Sequence, residues 1–472
     1  MAASEEELEQ VDEIVKSYEI ENMKKEYNEN KELIQLVTKF MQQHKLIVYG
    51  GLALNELLPP SYKFYDEFQF PDYDVLSPHA MEHAIKLADL LALHGIKFVE
   101  VRQAIHEGTY KVFADFKPIA DITQVNVLFY KDLLKTSLTQ RHLHKYIKNK
   151  KLALAPVNLL KLALYRELAS PIRSMWRWRK VYERTVKFCN VHHTKKYGKN
   201  MNQYLLSLKT KKHVTPFINI DDDGGLVSFV HSVADMIKNE QLMILGNAAI
   251  GLHAGVAPNK IFTQCCRLDQ FFSIFEVYCI KVKDVIDRVK KLFKESSTTN
   301  SKLKDWNIIT EERFYHIEIL PRRNRVYLKH KTTGHIISLM TLFDGSNNCF
   351  SYVKKSGFIV GTLFSILTIL YGYSLLYRVF ETDVIVQETL ELIGCVENYL
   401  MGGTKDMHEK LSVQCYGIEK STLSVRKERW DKKIGKDIFK YRPEDSMTLK
   451  RKLTDANLRQ TDEMALKDKD RY

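Results

Sequence analysis

The sequence predicts an α/β (α+β) protein built from two similar modules. Three observations lead there: helical and short strand patterns alternate between residues 46 and 140, the same order returns between 213 and 400, and a strongly basic, mainly helical stretch (141–212) lies between them. Residues 1–45 read as helix. Ser4 and Glu7 make a capping box, Leu8, Val11 and Val15 share one face, and Leu33, Leu36, Val37, Phe40 and Met41 form a second periodic run. A strand at 45–49 stops at Gly50-Gly51, and a helix follows over 52–58, closed by the loop at Pro59-Pro60. Further strands are expected at 72–76, 97–102, 110–116 and 119–123, with a helix at 79–94. From 129 to 212 the pattern is helical, interrupted at Pro156 and at Ser170-Pro171. Beyond it, an apolar helix from Leu226, a strand from Gln241 to Leu245, Gly246 and a second helix repeat the scheme that ran from Leu33 through Gly50. The polar run at 294–302 reads as a loop, and 401–472 as a charged, partly mobile C-terminal region.

With 472 residues, 45% hydrophobic and 27% charged, the chain has the composition of an ordinary globular protein, which excludes a mainly disordered or collagen-like one. Its net charge of +13 is unevenly placed. Residues 141–212 hold 19 Lys and Arg against two acids, Glu167 and Glu183, a local +17 beside a remainder of −4. Aromatic residues are interleaved there, including Trp176, Trp178 and Tyr182. Cations neutralise phosphates and aromatic faces stack bases, so single-stranded nucleic acid is the expected partner rather than lipid. The seven cysteines are scattered, with no zinc-ligand spacing and no disulfide framework, which fits a reducing compartment. The acidic N-terminus does not read as a signal peptide. Residues 356–377 carry no charge and are long enough to span a bilayer, but three glycines and five Ser/Thr favour a helix buried in protein.

The chemistry concentrates in Gly50-Gly51, Asp72-Tyr73-Asp74 and a later strand acid, Asp121. Asp72 and Asp74, two apart on a strand, project from one face, where hard divalent cations would bind with phosphate oxygens. A strand that turns through Gly-Gly into a helix lets backbone N–H groups approach a polyphosphate. A third carboxylate on a neighbouring strand completes the arrangement needed for in-line phosphoryl transfer with two metals. Asp115 also sits in a strand-like setting, Ala114-Asp115-Phe116, and competes with Asp121 for that place.

In this order the sequence resembles the nucleotidyltransferase superfamily: Tyr49-Gly50-Gly51 fits hG[GS], Asp72-Tyr73-Asp74-Val75 fits [DE]h[DE]h, and Ala120-Asp121-Ile122 fits h[DE]h. More narrowly, LIVYGGLALNELLP, FPDYDVLSP, RQAIHEGTYKVFADFKPIADIT and LALYRELASPIRSMWRWRKVYERT are similar to the poly(A) polymerase catalytic subunits of large cytoplasmic DNA viruses, with the poxvirus enzymes as more distant relatives. CYGIEK at 415–420 and FKYRPE at 439–444 fit the C-terminal part of that family. The resemblance implies a polymerase β-like catalytic domain at 46–140 and a second, degenerate copy at 213–400. It also implies ATP as substrate, two Mg²⁺ or Mn²⁺ ions, the RNA 3′ end as acceptor, and AMP addition with release of pyrophosphate. Gly50 and Gly51 would cradle the triphosphate, Asp72 and Asp74 would hold both metals, and Asp121, preferred to Asp115 on the family pattern, would complete the site.

Lys161, Tyr165 and Arg166, on one helix after this module, are candidates for the nucleotide cleft, with an amphipathic structural helix as the alternative. Trp176, Arg177, Trp178, Arg179 and Lys180 are candidates for RNA contact, with one Trp packed inside. The second module lacks the equipment: Gly246-Asn247 replaces Gly-Gly, Asp269 is a lone acid before Gln270-Phe271, and the strand at 335–340 has no carboxylate. Asp221-Asp222-Asp223 reads as a solvated turn and His192-His193 as surface. The rival readings are another terminal transferase, adding CCA or uridine, and a non-catalytic RNA-binding subunit. A cap-methyltransferase-like processivity subunit or self-association would be the protein partner, membrane association is not expected, and the resemblance implies the host cytoplasm, with packaging in the virion as a further expectation.

Overall fold

Helix formation begins at the capping box. Ser4 Oγ accepts from the Glu7 N–H and the Glu7 carboxylate accepts from the Ser4 N–H, opening α1 (Glu5–Glu29). No residue of α1 is buried, whereas α2 (Lys31–Gln43) buries Leu33, Val37, Phe40 and Met41. The computed structural model describes residues 4–69, 71–105, 108–139, 152–192, 224–259, 261, 273–313, 319–380, 383–403, 406–434 and 439–443. They fall into two units, the described residues of 4–160 with those of 428–443, and the described residues of 161–427.

The first unit is built on β1 (Ile47–Val48), α3 (Gly50–Glu56), β2 (Tyr73–Ser77), α4 (Ala80–Leu93), β3 (Glu100–Gln103), β4 (Thr109–Ala114), β5 (Lys117–Gln124), α5 (Val127–Thr139) and β6 (Ala153–Leu154), after which α6 (Val157–Ala169) begins. Its sheet has the order β15-β3-β4-β5-β2-β1-β6, where β15 is Lys440–Tyr441. β2 pairs antiparallel with β1 and parallel with β5, and β6 runs parallel to β1. Alternation is clear on β2: Tyr73 and Val75 are buried, while Asp74 between them is partly exposed on the other face.

The second unit continues through α7 (Pro171–Ser174), α8 (Trp178–Val191), α9 (Gly224–Asn239), β7 (Met243–Leu245), α10 (Gly246–His253), β8 (Phe275–Cys279) and α11 (Val282–Thr299). Then come β9 (Trp306–Arg313), β10 (Arg323–His330), β11 (Ile336–Asp344), β12 (Cys349–Lys355), β13 (Phe358–Gly361), α12 (Leu363–Phe380), α13 (Asp383–Asn398), α14 (Met407–Lys410), β14 (Cys415–Gly417) and α15 (Thr422–Ile434). Its sheet order is β14-β12-β13-β7-β8-β11-β10-β9. The run β13-β7-β8-β11-β10-β9 reproduces β6-β1-β2-β5-β4-β3, with the same parallel and antiparallel senses at every step. The repeat inferred from Gly50 and Gly246 is therefore a repeat of topology.

Several expectations change. The short helix starts at Gly50 rather than at 52, and β6 occupies part of a stretch read as helical, its carboxyl end fixed where the Ala155 N–H donates to the Val48 carbonyl. The run at 294–302 is helical as far as Thr299. Its hydroxyls bond back within the helix, Ser297 to the Phe293 carbonyl and Thr298 to that of Glu295, so polar composition does not break it. Residues 356–377 are a turn, β13 and most of α12, not one helix. The polar groups of α12 are satisfied internally: Ser365 Oγ donates to the Ser351 carbonyl, Thr368 to Phe364 and Ser374 to Tyr371. No helix among the described residues is long and apolar enough to cross a membrane. Cys349 of β12 and Cys415 of β14 lie with their Cα atoms 5.7 Å apart, a proximity that the scattered cysteine spacing did not announce. In the charged C-terminal region β15 pairs with β3. Asp221, Asp222, Asp223, His193, Asp269, Gln270 and Phe271 lie outside the described residues.

Candidate active site

β1 ends at Val48 and the chain turns at Tyr49 into α3. The Tyr49 N–H donates to the Asp74 carbonyl at 2.9 Å, fastening the turn to β2 beside the Asp74 side chain. Gly50 has φ +67°, and a Cβ on it would lie 2.3 Å from Asp74 Oδ2. Glycine is required by conformation and by space at once. The turn leaves first-turn amides of α3 without intrahelical acceptors, the donors that a phosphate group takes.

Asp74 and Asp121 are register partners across the parallel pair β2–β5, and Asp121 is the register partner of Lys111 across the antiparallel pair β5–β4. The three form a row over adjacent strands, with Lys111 Nζ 2.5 Å from Asp121 Oδ2. Asp72 lies just before β2 and is exposed. Behind the row, the Tyr49 hydroxyl shares a 3.0 Å hydrogen bond with Thr123 Oγ1, which is also 3.0 Å from Thr109 Oγ1. Burial, followed by the negative charge of Asp74 and then of Asp121 and Asp72, holds the Tyr49 phenol well above its ordinary range. The charges of all three carboxylates thus act on the half-buried Tyr49 hydroxyl. Asp115 sits elsewhere, with φ +48° in the two-residue turn that joins β4 to β5.

Among the described residues, no group of three or more His, Cys, Asp or Glu forms a ready-made metal cage. The donors present fit a divalent cation of another kind: Mg²⁺ takes one or two carboxylates and fills its shell with phosphate oxygen and water. The all-oxygen set of Asp72, Asp74 and Asp121 next to a glycine turn suits that mode. Lys111 is the residue that sequence reasoning missed. A hairpin turned at Asp115-Phe116 without irregularity would place Tyr110 opposite Asp121, but a register shift between Val112 and Phe113 brings Lys111 there instead.

The second module repeats this geometry with other side chains. Leu245 takes the extended conformation of Tyr49, and Gly246 (φ +61°) leaves no room for a Cβ because Glu276 Oε2 would lie 1.5 Å from it. Leu245 pairs with Glu276, so Glu276 is the counterpart of Asp74, Ile274 of Asp72, and Thr341, paired with Glu276, of Asp121. This corrects the comparison based on Asp269. Arg325, opposite Thr341, stands in the place of Lys111 and donates from Nε to Ser338 Oγ at 3.0 Å. Glu276 is buried, bonded to Tyr373 of α12, and burial pushes its carboxyl up to about 7 against the pull of Tyr373 and Arg323.

Lys161 and Tyr165 take a role other than the expected one in the nucleotide cleft. Both are interior side chains of the second unit. Lys161 Nζ donates to both Glu397 oxygens at 3.0 and 2.9 Å, and the hydroxyls of Tyr165 and Tyr371 each donate to Glu397 Oε1 at 2.7 Å. A buried carboxylate 236 residues away is what draws the Lys161 ammonium inward. Arg166 is partly exposed, with its charge near Glu419. Trp178 is partly buried and donates from Nε1 to the Glu167 carbonyl, whereas Trp176 is 81% exposed with the Arg177 guanidinium over its ring. Arg179 and Lys180 are exposed on α8, and Arg179 reaches Glu183 at 3.4 Å. The His192 ring packs at a tilt against Phe188 at the end of α8.

Residues 35–174 match the family model described as the poly(A) polymerase catalytic subunit. Two curated relatives carrying that same name match shorter stretches. One, from Acanthamoeba polyphaga mimivirus, is 36% identical over 98 residues, 20% of this chain and 17% of the relative. The other, from a Kenyan pig isolate of African swine fever virus, is 38% identical over 112 residues, 23% of this chain and 24% of the relative. The matched stretch therefore spans less than a quarter of either relative. Over the whole molecule, the crystal structure of the Megavirus polyadenylate synthase superposes with a TM-score of 0.74 at 18% identity, covering 97% of this chain and 91% of that one. The fold is that of the Megavirus polyadenylate synthase, and the stretch carrying the carboxylates is similar to the poly(A) polymerase catalytic subunits.

Proposed function

We propose that the protein is a template-independent poly(A) polymerase that transfers AMP from ATP to the 3′ end of RNA. The observation that carries this reading is the row Asp74–Asp121 on adjacent parallel strands, set against a Gly50 turn that has no room for a side chain. In the reaction the RNA 3′ oxygen attacks the α-phosphorus of ATP, the bond from that phosphorus to the bridging oxygen breaks, and pyrophosphate leaves. Two divalent ions, Mg²⁺ or Mn²⁺, would be held by Asp72, Asp74 and Asp121 and would supply charge neutralisation at the phosphates and activation of the hydroxyl. Gly50 and Gly51 admit the triphosphate to the start of α3, and the Tyr49–Thr123 bond keeps the turn fixed behind it. Asp121, across from Asp74, is the carboxylate on the acceptor side. The exposed Trp176 with Arg177, Arg179 and Lys180 offers stacking and phosphate contact for RNA.

Preference for ATP rests on the family alone, as do action in the host cytoplasm and the assistance of a processivity subunit or of self-association. Incubating the protein and a defined RNA with each labelled nucleoside triphosphate in turn tests the reading. A ladder with ATP, absent in Asp74→Asn, is expected. Extension by CTP or UTP instead would make it another terminal transferase, and no extension with any triphosphate would leave an RNA-binding subunit.

A further inference from the structure

We infer that Lys111 is a positioning residue that holds the Asp121 carboxylate in the row ahead of the divalent ions and gives it up when they bind, thereby setting how much metal the site requires. The inference rests on the polymerase reading of the carboxylate site.

Three observations support it. Lys111 reaches Asp121 not by chance of a long side chain but by register, since the shift between Val112 and Phe113 places the two residues opposite each other. The pair is unequally exposed: 39% of the Lys111 side chain is accessible against 18% of Asp121, so the acid is set into the sheet and the base can swing away. Asp74 and Asp121 are neighbours in the same row, and two carboxylates side by side repel unless a cation stands with them. Lys111 supplies that cation before metal arrives, and a metal ion makes it redundant. The second module shows the contrasting case. Arg325 keeps a base at the matching register position, but Thr341 rather than a carboxylate stands opposite it on β11, and Arg325 donates to Ser338.

The bland alternative is an ordinary cross-strand ion pair, which contributes little to stability and nothing to metal binding. Mn²⁺ binding to the protein without RNA or nucleotide, followed by electron paramagnetic resonance of the free ion, separates the two. Lys111→Met should bind Mn²⁺ about threefold to tenfold more tightly, because a competing positive charge is removed. Lys111→Arg should return to the wild-type value, and thermal midpoints measured alongside establish that both variants are folded. In the extension assay, Lys111→Met should reach half-maximal rate at lower Mg²⁺ while its maximal rate falls, since Asp121 loses its orientation. Unchanged or weaker Mn²⁺ binding by a folded Lys111→Met overturns the inference. If no triphosphate is incorporated by the wild type, the polymerase reading fails by itself, and tighter Mn²⁺ binding by Lys111→Met would still establish the competition at Asp121.

Discussion

The two modules share strand order, strand direction and a positive-φ glycine, yet they present opposite environments at the same place. In the first, Asp74 and Asp121 are partly accessible and Asp72 is exposed. In the second, Glu276 is 3% exposed and bonded to Tyr373 of a buried helix, with Ile274 and Thr341 where the other two acids would stand. The difference separates what the fold demands from what the chemistry demands. Gly246 persists where no phosphate chemistry is expected, because Glu276 fills the space of its missing Cβ just as Asp74 does at Gly50. The glycine belongs to the architecture of the turn. The acids at the Asp72 and Asp121 positions are the ones replaced, by Ile274 and Thr341.

The contrast breaks most visibly at the acids. Asp74→Asn and Asp121→Asn should each lower AMP addition by about 10³-fold or more in single-turnover extension, with RNA binding retained. Asp115→Asn, in the β4–β5 turn, should extend RNA near normally, and loss there with survival of Asp121→Asn would reverse the assignment. Next comes the buried cluster of the second unit. Lys161→Met should cost about 3–5 kcal/mol in denaturant unfolding, since Glu397 would be left charged without its ammonium partner. A rise in KM for ATP at unchanged stability would instead make Lys161 a nucleotide ligand.

Glu276 offers a sharper test through pH. Its folded-state carboxyl titrates near 7 against an ordinary 4.5, so the unfolded chain releases this proton first as pH rises. The cost is absent below about 4.5, grows between the two values and is complete above 7, reaching about 3 kcal/mol at most. Glu276→Gln should remove that loss, gaining stability on wild type between pH 5 and 8 as read from urea midpoints. An equal pH dependence in both proteins would mean that Glu276 is not sealed. The smallest effect concerns RNA: neutral replacements of Arg177, Arg179 and Lys180 should reduce the slope of log affinity against log salt by about one for each phosphate no longer neutralised.

Local signals were enough for the turn at Gly50, the acids at 72 and 74 and the repeat at Gly246, because strand alternation and a glycine turn are written in neighbouring residues. What could not be read depended on distant partners or on register. Asp74 follows Gly50 by 24 positions but Glu276 follows Gly246 by 30, so spacing alone pointed to Asp269. Lys111 required a register irregularity that no local pattern announces. Lys161 and Tyr165 fit a nucleotide cleft or an amphipathic helix equally well by sequence, and only the distant Glu397 identifies their interior role.

The strand β15 has a consequence for how the protein is made. Lys440 and Arg442 both reach the buried Glu100, and the Tyr441 hydroxyl donates to Asp89, so residues near the end of the chain close the edge of a sheet begun near its start. During synthesis the ribosome must deliver more than three hundred intervening residues before β3 gains this neighbour. Until then the nascent first module carries an open edge, a template for unwanted pairing with other chains. A recombinant fragment that stops at Leu160 would keep that edge permanently bare and should aggregate more readily than the whole protein.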